Sequence, residues 1–251
     1  VGKTTAVANI GCALASAGLK VALVDADIGL RNLDVAMGLE NRVVYDVVDV
    51  VEGYCKLRQA LIRDKRVDTL HLLPAAQTRD KTAVTPKQMA DLIDEMKDEF
   101  DYILVDCPAG IEQGFRNAVT GADRAIIITT PEIASVRDAD RVTGLLEAAG
   151  KPSPQLVVNR VRPRMVQRGD MMAVMDIVDI LSIELLGVVP EDEQIIVSTN
   201  KGEPLALRRV SRAGMAFQNI AQRIRGQKVP FMKLEEDDGF LARLRRAFGG
   251  R

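Results

Sequence analysis

The sequence has no tryptophan, one histidine and three cysteines, and aromatic residues fill only 4% of its 251 positions. The lone His71 lies between Leu70 and Leu72 and reads as a strand residue. With no His/Glu or Ser/His/Asp constellation available, zinc chemistry and triad hydrolysis are excluded. Cys12, Cys55 and Cys107 are an odd number with no close pair, which argues against a disulfide framework and for a reducing compartment. No Cys-x-x-Cys occurs, so Cys107 is expected to be a small packing residue rather than an iron–sulfur ligand. No apolar run approaches the roughly 18 residues of a membrane span. Nor is there an excess of either charge: 34 Lys+Arg face 35 Asp+Glu, a net of −1. That balance argues against bulk coating of nucleic acid. Internal repeats and Pro/Gly/Ser-rich linkers are also missing, and 27% charged with 47% hydrophobic residues is the composition of a folded domain.

What is present is alternation. Short runs rich in Val, Ile and Leu at 20–25, 70–74, 102–106, 125–130, 155–159 and 185–190 are separated by stretches of helical period at 4–17, 43–51, 86–98, 112–120, 135–149, 169–181 and 212–225. This is the pattern of buried parallel strands joined by crossover helices, and predicts one α/β domain with a mostly parallel sheet and helices on both faces. Gly18 suits a left-handed helix C-cap, and Thr85-Pro86 suits an N-cap followed by proline at the first helical position. Met171, Met172 and Met175 are expected to pack within the helix at 169–181.

Gly2-Lys3-Thr4-Thr5 at the start of a helix is the second half of a phosphate-binding loop, in which backbone N–H groups cradle phosphate, a lysine reaches it and a hydroxyl holds Mg²⁺. Alone the tripeptide is weak evidence. Two apolar runs, however, end in acids, Asp25-Ala26-Asp27 and Asp106, at the sheet edge where ligands of open α/β folds bind. There an Asp can position attacking water or the waters of a metal. The guanine-reading pattern is poorly matched by Asn200-Lys201-Gly202-Glu203, which has Glu where Asp is required. Val157-Val158-Asn159-Arg160 instead puts an amide at a strand end, where its donor and acceptor can pair with adenine.

These residues carry a resemblance. Val1-Gly2-Lys3-Thr4-Thr5, the stretch from Asp25-Ala26-Asp27 to Asp34, Leu73-Pro74-Ala75-Ala76-Gln77, Asp106-Cys107-Pro108-Ala109-Gly110, Ser135-Val136-Arg137-Asp138, Val189-Pro190-Glu191-Asp192 and the terminal Gly239-Phe240-Leu241 are similar to the ParA/MinD group of deviant-Walker P-loop ATPases, and most to its division-site-placing branch. The resemblance spans essentially the whole chain. It implies an ATP- and Mg²⁺-dependent ATPase in which Val1, Gly2, Lys3, Thr4 and Thr5 bind phosphate. Thr4, Asp27 and Asp106 would serve the metal, Lys3, Asp27 and Asp106 would serve hydrolysis, and Asn159, Arg160 and Pro190 would frame adenine. It also implies an ATP-bound homodimer and a surface at Arg137 and Asp138 for a MinC-like inhibitor and a MinE-like activator. The expected place is the cytoplasm or plastid stroma, peripheral on the inner membrane face. Compared with the family's loop, Val1 falls in mid-motif, so the signature lysine and the first central strand are expected upstream, and this chain by itself is expected to be unstable and to bind ATP poorly.

The chain divides into an ATPase domain at 1–228, an acidic spacer at 229–239 and a tail at 240–251. At about 100° per residue, Phe240, Leu241, Leu244 and Phe248 share one arc of the tail while Arg243 and Arg246 point elsewhere, and Arg245 adds a further cation. Such a helix is drawn to anionic lipid; the alternative is a terminal helix docked on the body. A rival reading of the chain is a ParA-type DNA-partitioning ATPase, with Arg160, Arg162, Arg164 and Arg168 as its basic cluster. Lipid is the expected partner and nucleic acid is not.

Overall fold

Residues 1–208 and 211–233 of the computed structural model are described here, so the tail at 240–251 and the acidic run at 235–238 lie outside the described residues. Every apolar run named above becomes a strand. The order is α1 (Lys3–Ser16), β1 (Val21–Asp25), α2 (Leu33–Met37), α3 (Val47–Val51), α4 (Leu57–Ala60), β2 (Ile62–Arg63), β3 (Leu70–Leu73), α5 (Pro86–Lys97), β4 (Tyr102–Asp106), α6 (Gln113–Thr120) and β5 (Ile126–Thr129). It continues with α7 (Ile133–Ala148), β6 (Gln155–Val161), α8 (Pro163–Gln167), α9 (Val174–Leu181), β7 (Glu184–Pro190), α10 (Glu193–Asn200) and α11 (Arg212–Ile224).

The strands form two sheets, β2-β3-β1-β4 and β5-β6-β7, parallel throughout except for the antiparallel β2–β3 pair. In β1 all five residues are buried, as expected of a strand covered on both faces. The edges of β4 and β5 that face away from their partners carry no strand among the described residues. Tyr102 and Leu104 of β4 and Ile126 and Ile128 of β5 nevertheless border one and the same core, built on α1, β1 and α11. A second core lies under α5 and a third between β6 and α7.

Helix boundaries follow local capping. The Thr85 hydroxyl accepts from the Gln88 N–H at 3.3 Å, Pro86 opens α5, and Met89, Leu92, Ile93 and Met96 give it one buried stripe. Gly18 has φ +87°, as its C-cap role requires. Two expected helices are shorter. That at 43–51 begins only at Val47, because the Asp46 side chain accepts from the N–H groups of Val48 and Asp49 and makes Asp46 the N-cap. That at 169–181 begins at Val174, since Gly169 is left-handed at φ +76°. Of the three methionines expected inside it, Met171 and Met172 therefore precede α9, and Met175 is 61% exposed instead of packed. Helices α2, α4, α8 and α10 and strand β2 were not expected.

Candidate functional site

The sheets' carboxyl ends gather the polar residues. Before α1, Gly2 sits at φ +94°, a conformation that side-chain-bearing residues rarely adopt, and a Cβ there would lie 2.7 Å from the Asn159 amide nitrogen. Glycine thus permits both the turn and the close approach. Helix α1 starts at Lys3 without a side-chain cap, so its first N–H groups are available to an anion.

Beside this turn, β1 and β4 place Asp25 and Asp106 in direct register. Both are buried. Desolvation raises Asp106 to about 7, opposed by a hydrogen bond from the Thr4 hydroxyl and raised further by the charge of Asp25. Its Oδ1 is buried without a partner. Asp25 is raised by burial to about 6 although its carboxylate accepts from the Asp27 N–H at 2.9 Å and the Leu33 N–H at 3.1 Å. Those bonds fix the loop between β1 and α2. Asp27 is half-buried on that loop, and its charge acts on both Asp25 and Asp106.

The residue types suit a magnesium–nucleotide complex. A helix N-terminus and Lys3 offer positive potential to phosphate, while the Thr4 hydroxyl, the unpartnered Asp106 oxygen and Asp27 offer hard oxygen ligands or partners for metal-bound water. Among the described residues no group of three His, Cys, Asp or Glu is arranged as a metal cage.

The base side is built on β6 and β7. Asn159, 3% exposed at the end of β6, donates its amide to the Val1 carbonyl at 2.9 Å, and its Oδ1 is buried without a partner. Arg160 is left-handed at φ +57° within an irregular stretch of the β6–β7 ladder, and its side chain is exposed. Pro190 is buried and pairs with Val161, and the Glu191 N–H reaches the Val161 carbonyl at 3.0 Å. The structure therefore brings Val1, Gly2, Lys3, Thr4, Asp27, Asp106, Asn159, Arg160 and Pro190 to one end of the fold, with Thr5 in the first turn of α1.

The remaining sites lie elsewhere. Arg137 and Asp138 are exposed on α7. Arg137 also lines a shallow groove of about 210 Å³ with Ile133, Val136, Asp140, Met172 and Ile180. Two arginines of the basic cluster are in exposed ion pairs, Arg162 with Glu191 and Arg168 with Asp170 at 3.0 Å. Burial lifts the Cys107 thiol to about 11, which keeps it protonated, and Cys12 is fully buried inside α1. His71 lies in β3 with its ring edge-on to Phe100, centroids 5.4 Å apart. No helix among the described residues is long and apolar enough to cross a membrane. Phe240, Leu241, Leu244, Arg245 and Phe248 lie outside the described residues.

The CobQ/CobB/MinD/ParA nucleotide binding domain family matches residues 1–205. The chain is 57% identical to the septum site-determining protein MinD of Bacillus subtilis, over 100% of this chain and 95% of that one. Its fold is similar to MinD in a MinC:MinD cell division protein complex from Aquifex aeolicus, with TM-score 0.87, 48% identity and coverage of 93% of this chain and 94% of that one. It is also similar to a septum site-determining protein from Pyrococcus horikoshii solved with Mg-ADP, with TM-score 0.80, 30% identity and coverage of 89% and 90%.

Proposed function

Because the chain belongs to the MinD family of septum site-determining nucleotide-binding proteins, we propose that it is a Mg²⁺-dependent ATPase whose ATP-bound form dimerises, attaches reversibly to membrane and recruits a division inhibitor. The observation that carries this reading is the convergence on one sheet edge of the Gly2 turn, Lys3 and Thr4 with Asp106 and Asp27. ATP with Mg²⁺ supplies a phosphoanhydride whose charge the metal partly neutralises. The α1 N-terminus and Lys3 bind the phosphates, and Thr4 with Asp106 orients the metal's shell. Asp27 sits on the loop that Asp25 fixes and orients the attacking water. Asn159, Arg160 and Pro190 frame adenine.

Membrane attachment is assigned to 240–251. A tail too weak to hold alone gains about 10² to 10⁴ in avidity when two are carried by one dimer, so dimerisation and hydrolysis switch it on and off. Arg137 and Asp138 are assigned to a MinC-like inhibitor and a MinE-like activator; the complex of the Aquifex relative supports the first kind of partner. The expected location is cytoplasm or stroma, peripheral on the membrane. The partitioning alternative is disfavoured by the near-neutral charge of the chain, −1, and by the apolar-aromatic tail. The test is vesicle pelleting of the full-length protein with ATP or ADP, with and without residues 240–251. ATP-dependent pelleting lost on deletion, with dimerisation retained, is the expected result. ATP-dependent pelleting by the tail-deleted protein, or tight salt-sensitive binding to duplex DNA, would overturn it.

A further inference from the structure

Arg223, at the end of α11, spends its guanidinium entirely on backbone carbonyls. Nε donates to the Val229 carbonyl at 3.0 Å, Nη1 to Leu186 at 3.0 Å and Nη2 to Pro230 at 2.9 Å, while the group lies 4.2 Å from the centroid of the Phe231 ring. Burial lowers its pKa, and no carboxylate is among the groups that act on it. A half-buried cation that binds three carbonyls and a ring face is a device for holding backbone in place.

What it holds is the chain's return. After α11 the Gly226 N–H bonds to the Arg223 carbonyl at 2.9 Å and the Gln227 N–H to the Gln222 carbonyl at 3.1 Å, with Gly226 left-handed at φ +79°. This paired arrangement ends the helix and reverses the chain. The strap then runs back past α11, and the Arg212 side chain, at the other end of that helix, donates to the Lys233 carbonyl. Eleven helical residues span about 16 Å, and four extended ones about 13 Å, so the strap covers most of the length of α11.

Direction gives the strap its meaning. Leu186 is near the start of β7, whereas the first turn of α11 meets the segment after β7, where Asp192 accepts from the Ala213 N–H at 3.4 Å. Asp192 follows Pro190 on the nucleotide edge. The strap therefore carries the chain from the far end of the sheet back towards the edge that holds the site. Without it, the following residues would depart from the far end.

We propose that Arg223 and Arg212 are positioning residues for membrane attachment, which return the chain at Lys233 to the nucleotide edge and so keep the tether of the tail that follows short. The inference rests on the membrane reading above. It makes the avidity of the pair depend on a short, fixed connection, because effective concentration falls as the tether lengthens.

The test uses the full-length protein and vesicles of phosphatidylcholine with about a third phosphatidylglycerol. Arg223→Met keeps the stem and removes the four contacts of the head group. Independently, a flexible Gly/Ser insert after Lys233 lengthens the tether without touching the fold. Each is expected to weaken ATP-dependent vesicle binding about five- to tenfold, with ATP turnover in solution and ATP-dependent dimerisation unchanged. The insert added to Arg223→Met should cost little more, a non-additivity that a general loss of stability would not produce. Unchanged vesicle affinity with the insert, while deletion of 240–251 abolishes binding, overturns the positioning role and leaves the membrane reading intact. Persistence of binding after that deletion overturns both.

Discussion

The Asn159 side chain ties the end of β6 to the phosphate turn: its amide donates to the Val1 carbonyl at 2.9 Å, while its own carbonyl oxygen is buried and unpaired. One amide thus spends its donor on the loop and keeps its acceptor unpaired. Asn159→Ala is expected to cost about 1–3 kcal/mol of nucleotide binding, about 5- to 150-fold in affinity for ADP by titration calorimetry. Asn159→Asp should do no better, since a carboxylate cannot donate to Val1. Wild-type affinity in either variant would remove Asn159 from the site.

Asp27 hangs on a loop fixed by Asp25 and is less buried than its neighbour. Asp27→Ala is expected to retain ATP binding in the full-length protein and to lose about a hundredfold or more in turnover. Equal turnover by phosphate release would show that no water is oriented there.

Asp106 and Asp25 are both raised, so in the nucleotide-free fold each keeps its proton at pH values where the unfolded chain has lost it. Stability contributed by these groups is present at low pH and is lost as pH rises from about 4 to about 7. Asp106→Asn should therefore stabilise the nucleotide-free protein at pH 8, on the order of 1–3 kcal/mol, and by less at pH 5. Denaturant midpoints at the two pH values decide it; a variant less stable than wild type at pH 8 would contradict the argument.

Gly38 and Gly202 bring α2 and the turn after α10 into backbone contact. A Cβ on Gly202 would lie 2.3 Å from the Gly38 Cα, and Gly202 is left-handed at φ +61°. Arg66 spans the junction, donating to the carbonyls of Gly202 at 2.6 Å and Met37 at 2.7 Å while paired with buried Asp64. Gly202→Ala has backbone on the far side and nowhere to move, and should destabilise by about 2–4 kcal/mol, read as a lower thermal midpoint. An unchanged midpoint would show that the two turns separate freely.

Asp138 and Arg137 are exposed on α7 beside the apolar groove. Asp138→Ala is expected to weaken binding of a MinC-like inhibitor or a MinE-like activator by about threefold or more without altering basal turnover. If co-sedimentation with neither partner changes, the partner surface lies elsewhere.

The strands were readable as unbroken apolar runs: β1, buried at every position, is apolar up to Asp25, and β4 and β6 contain the shorter runs 102–105 and 156–158. The acids closing β1 and β4 stood out for the same reason. Short helices were not readable. Five-residue α2 is tied to β1 by the Leu33 N–H on Asp25 and locally by Arg31 on Asp34 at 2.8 Å, and five residues carry no period. The start of α3 did leave a sign, since Asp46 and Asp49 have the spacing of reciprocal caps. The sequence pattern assigns a role to Asp27 and none to Asp25. Only the register with Asp106 and its two backbone bonds reveal that it shapes the loop.

The antiparallel strand β2 is two residues long, and one of them, Arg63, is exposed beside Asp68 at 3.8 Å. The outer rim of that sheet thus offers a neighbouring molecule almost no free ladder and meets it with charge. On the proposed reading of reversible membrane attachment, copies gathered on a surface must not stack edge to edge while they are there. A blunt rim keeps such crowding reversible.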